Sequence, residues 1–314
     1  MRASGHSGAA AAGPDHAEAY RPRWRDRARQ RGVTPTLWLA VPGVVFMVVF
    51  FVYPLGYGVG LSLQGADGWY SAYHDFFADR LVNNHGSRES ILVTLELALA
   101  ASIINVALAV PISYRMRRRV RAKRTIMAIV LVPMTLGTVF VASAMKEFLG
   151  PSGWLNRALL NTGVIDQPLQ LVGNFTGVLL SLVFTGLPFA FLLMVGYTSG
   201  IDPSLEQAAA VCGARPAQRF WLVTFPLLLP GMTITFCLSF VLAFGVFPSA
   251  TLVGNDAGPT RVLSKIAYTE YSYGHYPTAS ATAVVMAVVQ LAVLGLVLWG
   301  RGLFHRGPTS GGKG

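Results

Sequence analysis

Six stretches of this chain, at about residues 37–63, 89–113, 124–147, 174–199, 227–250 and 277–300, are apolar for long enough to cross a bilayer. Hydrocarbon about 30 Å thick is spanned by roughly twenty helical residues rising about 1.5 Å each. No water is present there to satisfy backbone polar groups, so each stretch must hydrogen-bond within itself as a helix. Pro42, Pro54, Pro111, Pro133, Pro188 and Pro248 fall inside these stretches, which membrane helices tolerate where neighbours re-satisfy the freed groups. The expected fold class is all-α: a polytopic membrane protein with six transmembrane helices.

The charge pattern agrees. A formal charge of +11 invites a nucleic-acid partner, yet 19 of the 25 Lys and Arg residues lie in four places. These are the tail 1–36, the stretch 114–124, the segment 200–226 and the tail 301–314. Such alternation is the positive-inside signature of a multi-span protein, and no nucleic acid is expected. With an even number of spans and basic tails, both termini are expected in the cytosol. Residues 1–36, rich in Ala, Gly, Pro and Arg, read as a disordered tail. The loops 64–88, 148–173 and 251–276 then face outward and carry interfacial aromatics such as Trp69, Trp154 and Tyr268. Within them, residues 150–165 place Leu155, Leu159 and Leu160 on one side of a short surface helix. A second helical stretch precedes the last span.

The chain carries no catalytic constellation. There is no GxxxxGK[ST] phosphate loop, no HExxH pair and no nucleophile with an adjacent base. Cys212 and Cys237 have neither metal-ligand spacing nor a favourable setting for a disulfide. No catalytic residue, metal or cofactor is expected on this chain. Energy for transport must come from a partner or an ion gradient.

One polar segment interrupts the apolar pattern between the fourth and fifth spans: EQAAAVCGARPAQRFWLVTFPLLLPG, residues 206–231. Gln207, Ala208, Ala209, Gly213, Val223, Phe225 and Pro226 fall in register with Glu-Ala-Ala, three residues, Gly, nine residues, Ile-x-Leu-Pro. The segment resembles the EAA loop of binding-protein-dependent ABC importer permeases, with Gln for Glu, Val for Ile and Phe for Leu. The resemblance extends over most of residues 37–300, including TLELALAASIINVALAVPISYRM (94–116), FVLAFGVFPSATLVGN (240–255) and YPTASATAVVMAVVQL (276–291), and is nearest in feel to the spermidine/putrescine branch.

That resemblance implies a type I ABC importer permease fold in a bacterial inner membrane. It implies three partners: a cytosolic ABC ATPase dimer carrying the ATP and Mg, a second permease (identical or sister), and an extracytoplasmic solute-binding protein. The coupling loop would be 200–226, with Glu206, Gln207, Ala208, Ala209, Gly213, Arg215, Arg219 and Pro226 as its working residues. Small side chains allow close approach, and Gly213 allows a sharp turn. Arg215 and Arg219 would meet acidic groups on the ATPase, and Glu206 would stand in for the charge missing at Gln207.

Glu96 lies about seven residues into the second span, roughly 10 Å deep at about 1.5 Å per residue. Ionisable groups at depth face a cavity or a partner, so Glu96 is a candidate for a cation path, with an ion pair to Lys146 as the structural alternative. Asn105 and Gln290 are further path candidates, or interhelical glue. Phe247 and Pro248 would bend the fifth span into a gate, or mark its end. A small cationic or zwitterionic cargo such as a polyamine is expected, with a sugar, phosphonate or other anion as the alternative. A gradient-driven transporter would show repeated halves with broken helices, and none is evident. A membrane-embedded enzyme would need a polar cluster at one depth.

Overall fold

The computed structural model describes residues 35–65, 68–77, 85–117, 123–255 and 260–304. Most of the tail 1–36, the centre of the basic stretch 114–124 and the tail beyond residue 304 lie outside the described residues. The chain divides into two compact units between Tyr57 and Gly58. The first contains α1 (Pro35–Met47), a π-helical turn (Val48–Val52) and the start of α2 (Tyr53–Ser62). Residues Val41–Ser62 are long and apolar enough to cross a membrane.

The second unit continues with α3 (Ser71–His74), α4 (His85–Met116), α5 (Lys123–Leu136), α6 (Thr138–Leu149) and α7 (Trp154–Asn161). It then runs through α8 (Phe175–Ser199), α9 (Pro203–Val211), α10 (Pro216–Arg219) and α11 (Phe225–Phe244). Last come α12 (Pro248–Leu252), α13 (Leu263–Ser272) and α14 (Tyr276–Phe304). Among the described residues there is no β-strand, only one isolated bridge between Gly65 and Gly68.

Helix α4 is the hub of this unit. Ala98, Ala101, Ser102, Asn105, Ala109 and Ser113 recur at three- and four-residue spacing and are all buried, so one side of the helix is small along its length. Small side chains let helix axes come close where lipid gives apolar surfaces no reason to hide. Towards one end Ala98 packs with Phe240 and Phe244 of α11 and with Leu263 and Ile266 of α13. Towards the other, Val106, Ala109 and Val110 pack with Ala190, Phe191 and Met194 of α8 and Leu228 of α11. Hydrogen bonds add interhelical links: Thr94 Oγ1 accepts Leu263 N–H at 3.0 Å, and Gln290 Nε2 donates to the Val241 carbonyl at 3.1 Å. The outer surface is apolar, with Ile129, Val139, Phe140, Val288 and Leu291 well exposed.

Two expected spans are corrected. The stretch 124–147 is not one helix: α5 and the segment after it are bent by 104° at Gly137. Gly137 has φ +79° and ψ 154°, which strains any side chain, and Pro133 one turn earlier withholds a backbone donor. The fifth span begins earlier and ends earlier than 227–250. Residues Pro216–Phe244 form one continuous run of 29, and Gly245 closes it. Pro248 then opens α12 at its N-terminus, where a missing N–H costs nothing. It stands beyond the span rather than bending it.

The π-helical turns Val48–Val52 and Phe220–Thr224 each end two residues before a proline, Pro54 and Pro226. A proline gives no N–H to the carbonyl four residues back and its ring crowds that carbonyl. The preceding turn widens, and Tyr53 and Phe225 donate five residues back, to Val48 and Phe220.

At Gly231 on α11, an added Cβ would lie 2.5 Å from Cγ of Tyr197 on α8. Gly231→Ala should cost about 1–3 kcal/mol, read as a lower melting temperature of the purified protein in detergent. Gly295→Ala, where a Cβ meets nothing within 4 Å, should not. Equal melting temperatures for the two variants would contradict this packing.

Candidate coupling surface and membrane cavity

The segment between α8 and α11 folds as one short helix and a turn. Asp202 starts α9: its Oδ1 accepts the Ser204 N–H at 2.8 Å, and Pro203 occupies the first helical position. The helix ends in a Schellman turn, with Ala214 N–H bonded to the Ala209 carbonyl at 3.0 Å and Gly213 at φ +82°. After it, Arg215 N–H bonds to Gln218 Oε1 at 2.8 Å, and α10 runs through the second π turn into α11. The second half of the expected loop is therefore the root of the fifth span.

No residue of α9 is buried. Gln207 and Ala208 are exposed, Ala209 and Ala210 are half-buried, and Arg215 and Pro226 are exposed. Val211 is 88% exposed and Leu205 45%, so the helix presents apolar side chains outward from a polar segment. Trp221 and Leu222, at the root of α11, are exposed as well. These four were missed in the sequence; the signal available was an apolar residue inside a polar helix. Arg219 is half-exposed, and its Nε is buried without a hydrogen-bond partner among the described residues.

The Glu206 carboxylate turns inward. Oε1 accepts Arg117 Nη1 and Thr224 Oγ1, each at 2.7 Å, and Tyr114 donates its hydroxyl to Oε2 at 3.5 Å. Arg117 Nη2 donates to the Ile201 carbonyl at 2.5 Å, and the Tyr114 ring meets Phe220 edge-on at 4.8 Å. The side chains of Arg117 and Glu206 are 12% and 20% exposed. Exposed pairs contribute roughly 1 kcal/mol or less. This one is sheltered and backed by two hydroxyls, and its single Nη1–Oε1 hydrogen bond is of the stronger, charge-assisted kind. Arg117 and Tyr114 come from the end of α4, and Thr224 from the root of α11. Sequence reading took Arg117 only as one of several basic residues.

The pathway candidates scatter. Glu96 is exposed on α4, on the side turned from its buried seam, and makes no ion pair with Lys146 among the described residues. Gln290 is spent on the bond to Val241. Phe247 packs on Tyr268 of α13 at 4.8 Å, with Lys265 Nζ 5.7 Å from its ring centre. Of these candidates, Asn105 alone borders a cavity of about 290 Å³, whose lining is mostly apolar (Met134, Phe189 and Leu242 among it) with Thr138, Thr185 and Ser239 as its other polar residues. Asn105 Oδ1 and Ser239 Oγ are buried there without hydrogen-bond partners, and Thr185 donates to the Ser181 carbonyl, leaving its lone pairs free. The break at Gly137 forms one wall. Nothing lining this cavity is charged.

Residues 8–305 match the family described as binding-protein-dependent transport system inner membrane component. The chain belongs to that family. It is thus a permease of an ABC import system, lodged in the membrane. Among its relatives is the molybdenum transport system permease protein ModB of Mycobacterium bovis, 26% identical over 261 residues, 82% of this chain and 92% of the relative. The spermidine/putrescine permease PotB of Escherichia coli is 27% identical over 213 residues, 67% and 76% of the two chains. A chain of a bacterial alginate ABC transporter, solved with its alginate-bound periplasmic protein, superposes at TM-score 0.71 with 20% identity, covering 88% of this permease and 95% of that chain. The all-α, type I ABC permease fold is shared.

The Asp202 cap has a pH signature. The Ser204 N–H and hydroxyl favour the ionised carboxylate and hold its pKa below the ordinary value. A depressed pKa makes the cap's contribution complete above the ordinary carboxylate range and lost as pH falls through the lowered value. Amide exchange across 203–211, corrected for intrinsic rate, should accelerate only in that acid range, whereas Asp202→Ala should accelerate it at neutral pH. Unchanged exchange in Asp202→Ala would contradict the capping role.

Proposed function

We propose that this permease is the membrane-spanning subunit of an ATP-driven importer and that α9 is the handle gripped by a cytosolic ATPase. The reading rests on one observation above the rest: a helix without a buried residue, bearing exposed Leu205 and Val211, is tied at its base to two spans. Apolar side chains left outward on a polar segment suit a docking site, and the buried Nε of Arg219 has no hydrogen-bond partner among the described residues. The ATPase pair would carry ATP and Mg; this chain holds no cofactor and performs no chemistry. A second permease, identical or sister, would complete the path. An extracytoplasmic binding protein, as accompanies the alginate transporter, would deliver the solute. Both termini and α9 would lie in the cytosol. ATP binding would draw two such handles together, and the spans would pass from an inward-open to an outward-open arrangement.

For the cargo, the cavity is the better guide. Its lining is mostly apolar, its few polar groups on Asn105, Thr138, Thr185 and Ser239 are neutral, and a fully charged solute would shed its water there with no counter-charge. We therefore favour a neutral solute such as a sugar, of roughly ten non-hydrogen atoms, since about 30 Å³ is the share of each water in the liquid. The cationic reading keeps two supports, the exposed Glu96 and the likeness to a spermidine/putrescine permease.

The test uses the whole complex in proteoliposomes, permease with ATPase and binding protein. Uptake should require ATP inside with the ATPase and survive an uncoupler. Ser239→Trp should cut uptake at least tenfold while the ATPase still co-purifies. Uptake driven by an ion gradient without ATP would overturn the assembly reading. Transport of putrescine in preference to a neutral sugar would overturn the cargo reading alone.

A further inference from the structure

Helix α9 has the tip of a handle but little grip on the bundle. It buries no residue, and only Glu206, Ala209 and Ala210 are even partly covered. Its two ends are turns: Gly200 and Ile201 before the Asp202 cap, and Gly213 at positive φ after it. Apolar packing of that extent cannot fix the direction of a two-turn helix, because so little area leaves water. One carboxylate supplies the missing constraint. Glu206 accepts from Arg117 and Tyr114 at the end of α4 and from Thr224 at the root of α11. Arg117 at the same time binds the Ile201 carbonyl, where the chain leaves α8. Ser113, one turn before Arg117, is bonded by Thr198 of α8 at 3.3 Å. The ends of three spans therefore meet at one acid and one guanidinium.

We infer that the Arg117–Glu206 pair is the joint through which force on α9 reaches the spans, and that Glu206 is a positioning residue for coupling, not a contact to the ATPase. The inference rests on α9 being the ATPase handle. With the joint whole, α9 turns only if α4 and α11 turn with it. With the joint broken, α9 swivels on Ile201 and Gly213, and its exposed side chains still dock. The signature is therefore uncoupling rather than loss of assembly.

The complete transporter, permease with ATPase and binding protein in proteoliposomes, is made with Glu206→Gln, Arg117→Gln and both changes together. Each single variant should keep the ATPase bound and hydrolysing, with uptake per ATP reduced at least tenfold. The double variant should lose no more than either single one, because both remove the same link. Thr224→Val keeps the ion pair and removes one hydroxyl; it should give a smaller loss of the same kind, and serves if a charge variant does not assemble. Uptake per ATP within twofold of wild type in Glu206→Gln, losses that multiply in the double variant, or detachment of the ATPase in the single ones would each overturn the proposal. Failure of the handle reading itself shows differently: the wild-type complex would then bind no ATPase at all.

Discussion

In hydrocarbon, helices gain nothing by hiding apolar surface from one another, so this bundle depends on how closely α4 lets α8 and α11 approach. The seam Ala98, Ala101, Ser102, Asn105, Ala109 and Ser113 sets that distance. Gly186 and Gly231 answer it from the other helices. A Cβ at the first would lie 2.4 Å from Asn105 Nδ2, and one at the second would strike Tyr197. Because the three axes are held this near, the ends of α4, α8 and α11 emerge side by side. The coupling segment is thereby short, and one carboxylate can reach two of those helices.

Where the same packing slackens, the mostly apolar cavity opens. The break at Gly137 swings α6 away from the line of α5, and Asn105 and Ser239 are left facing space rather than a partner helix. Buried polar atoms without partners are costly, so the cavity is a place where stability is given up. The Arg117–Glu206 contact shows the opposite choice, with both carboxylate oxygens engaged. A stiff base and an unsatisfied midsection suit a machine that moves as rigid pieces around a site that takes a ligand.

Much of this was legible in the residues. Runs of apolar residues longer than twenty placed most of the helices, and the register of Gln207, Ala208, Ala209, Gly213 and Pro226 pointed to the family. Gly213 marked the turn that ends α9. The break at Gly137 was missed because one glycine after Leu136 looks like any other in a membrane helix; its positive φ has no trace in composition. The fusion of α10 with α11 was missed because Phe225-Pro226 reads as a stop, whereas the backbone absorbs that proline in a π turn. The Arg117–Glu206 contact joins residues 89 positions apart. No local pattern predicts such a pair, and the basic cluster around Arg117 already had a sufficient explanation in the positive-inside rule. Glu96 drew notice as a charge at depth, yet the side of α4 on which it lies depends on packing that one sequence does not display.

Cys212, exposed at the end of α9, offers the most direct measurement. With Cys237→Ser leaving it the sole thiol, a membrane-impermeant maleimide is applied to right-side-out and inside-out vesicles, with and without bound ATPase. The account predicts modification only in inside-out vesicles and protection once the ATPase is bound. Modification from the outside, or modification unaffected by the ATPase, would contradict it.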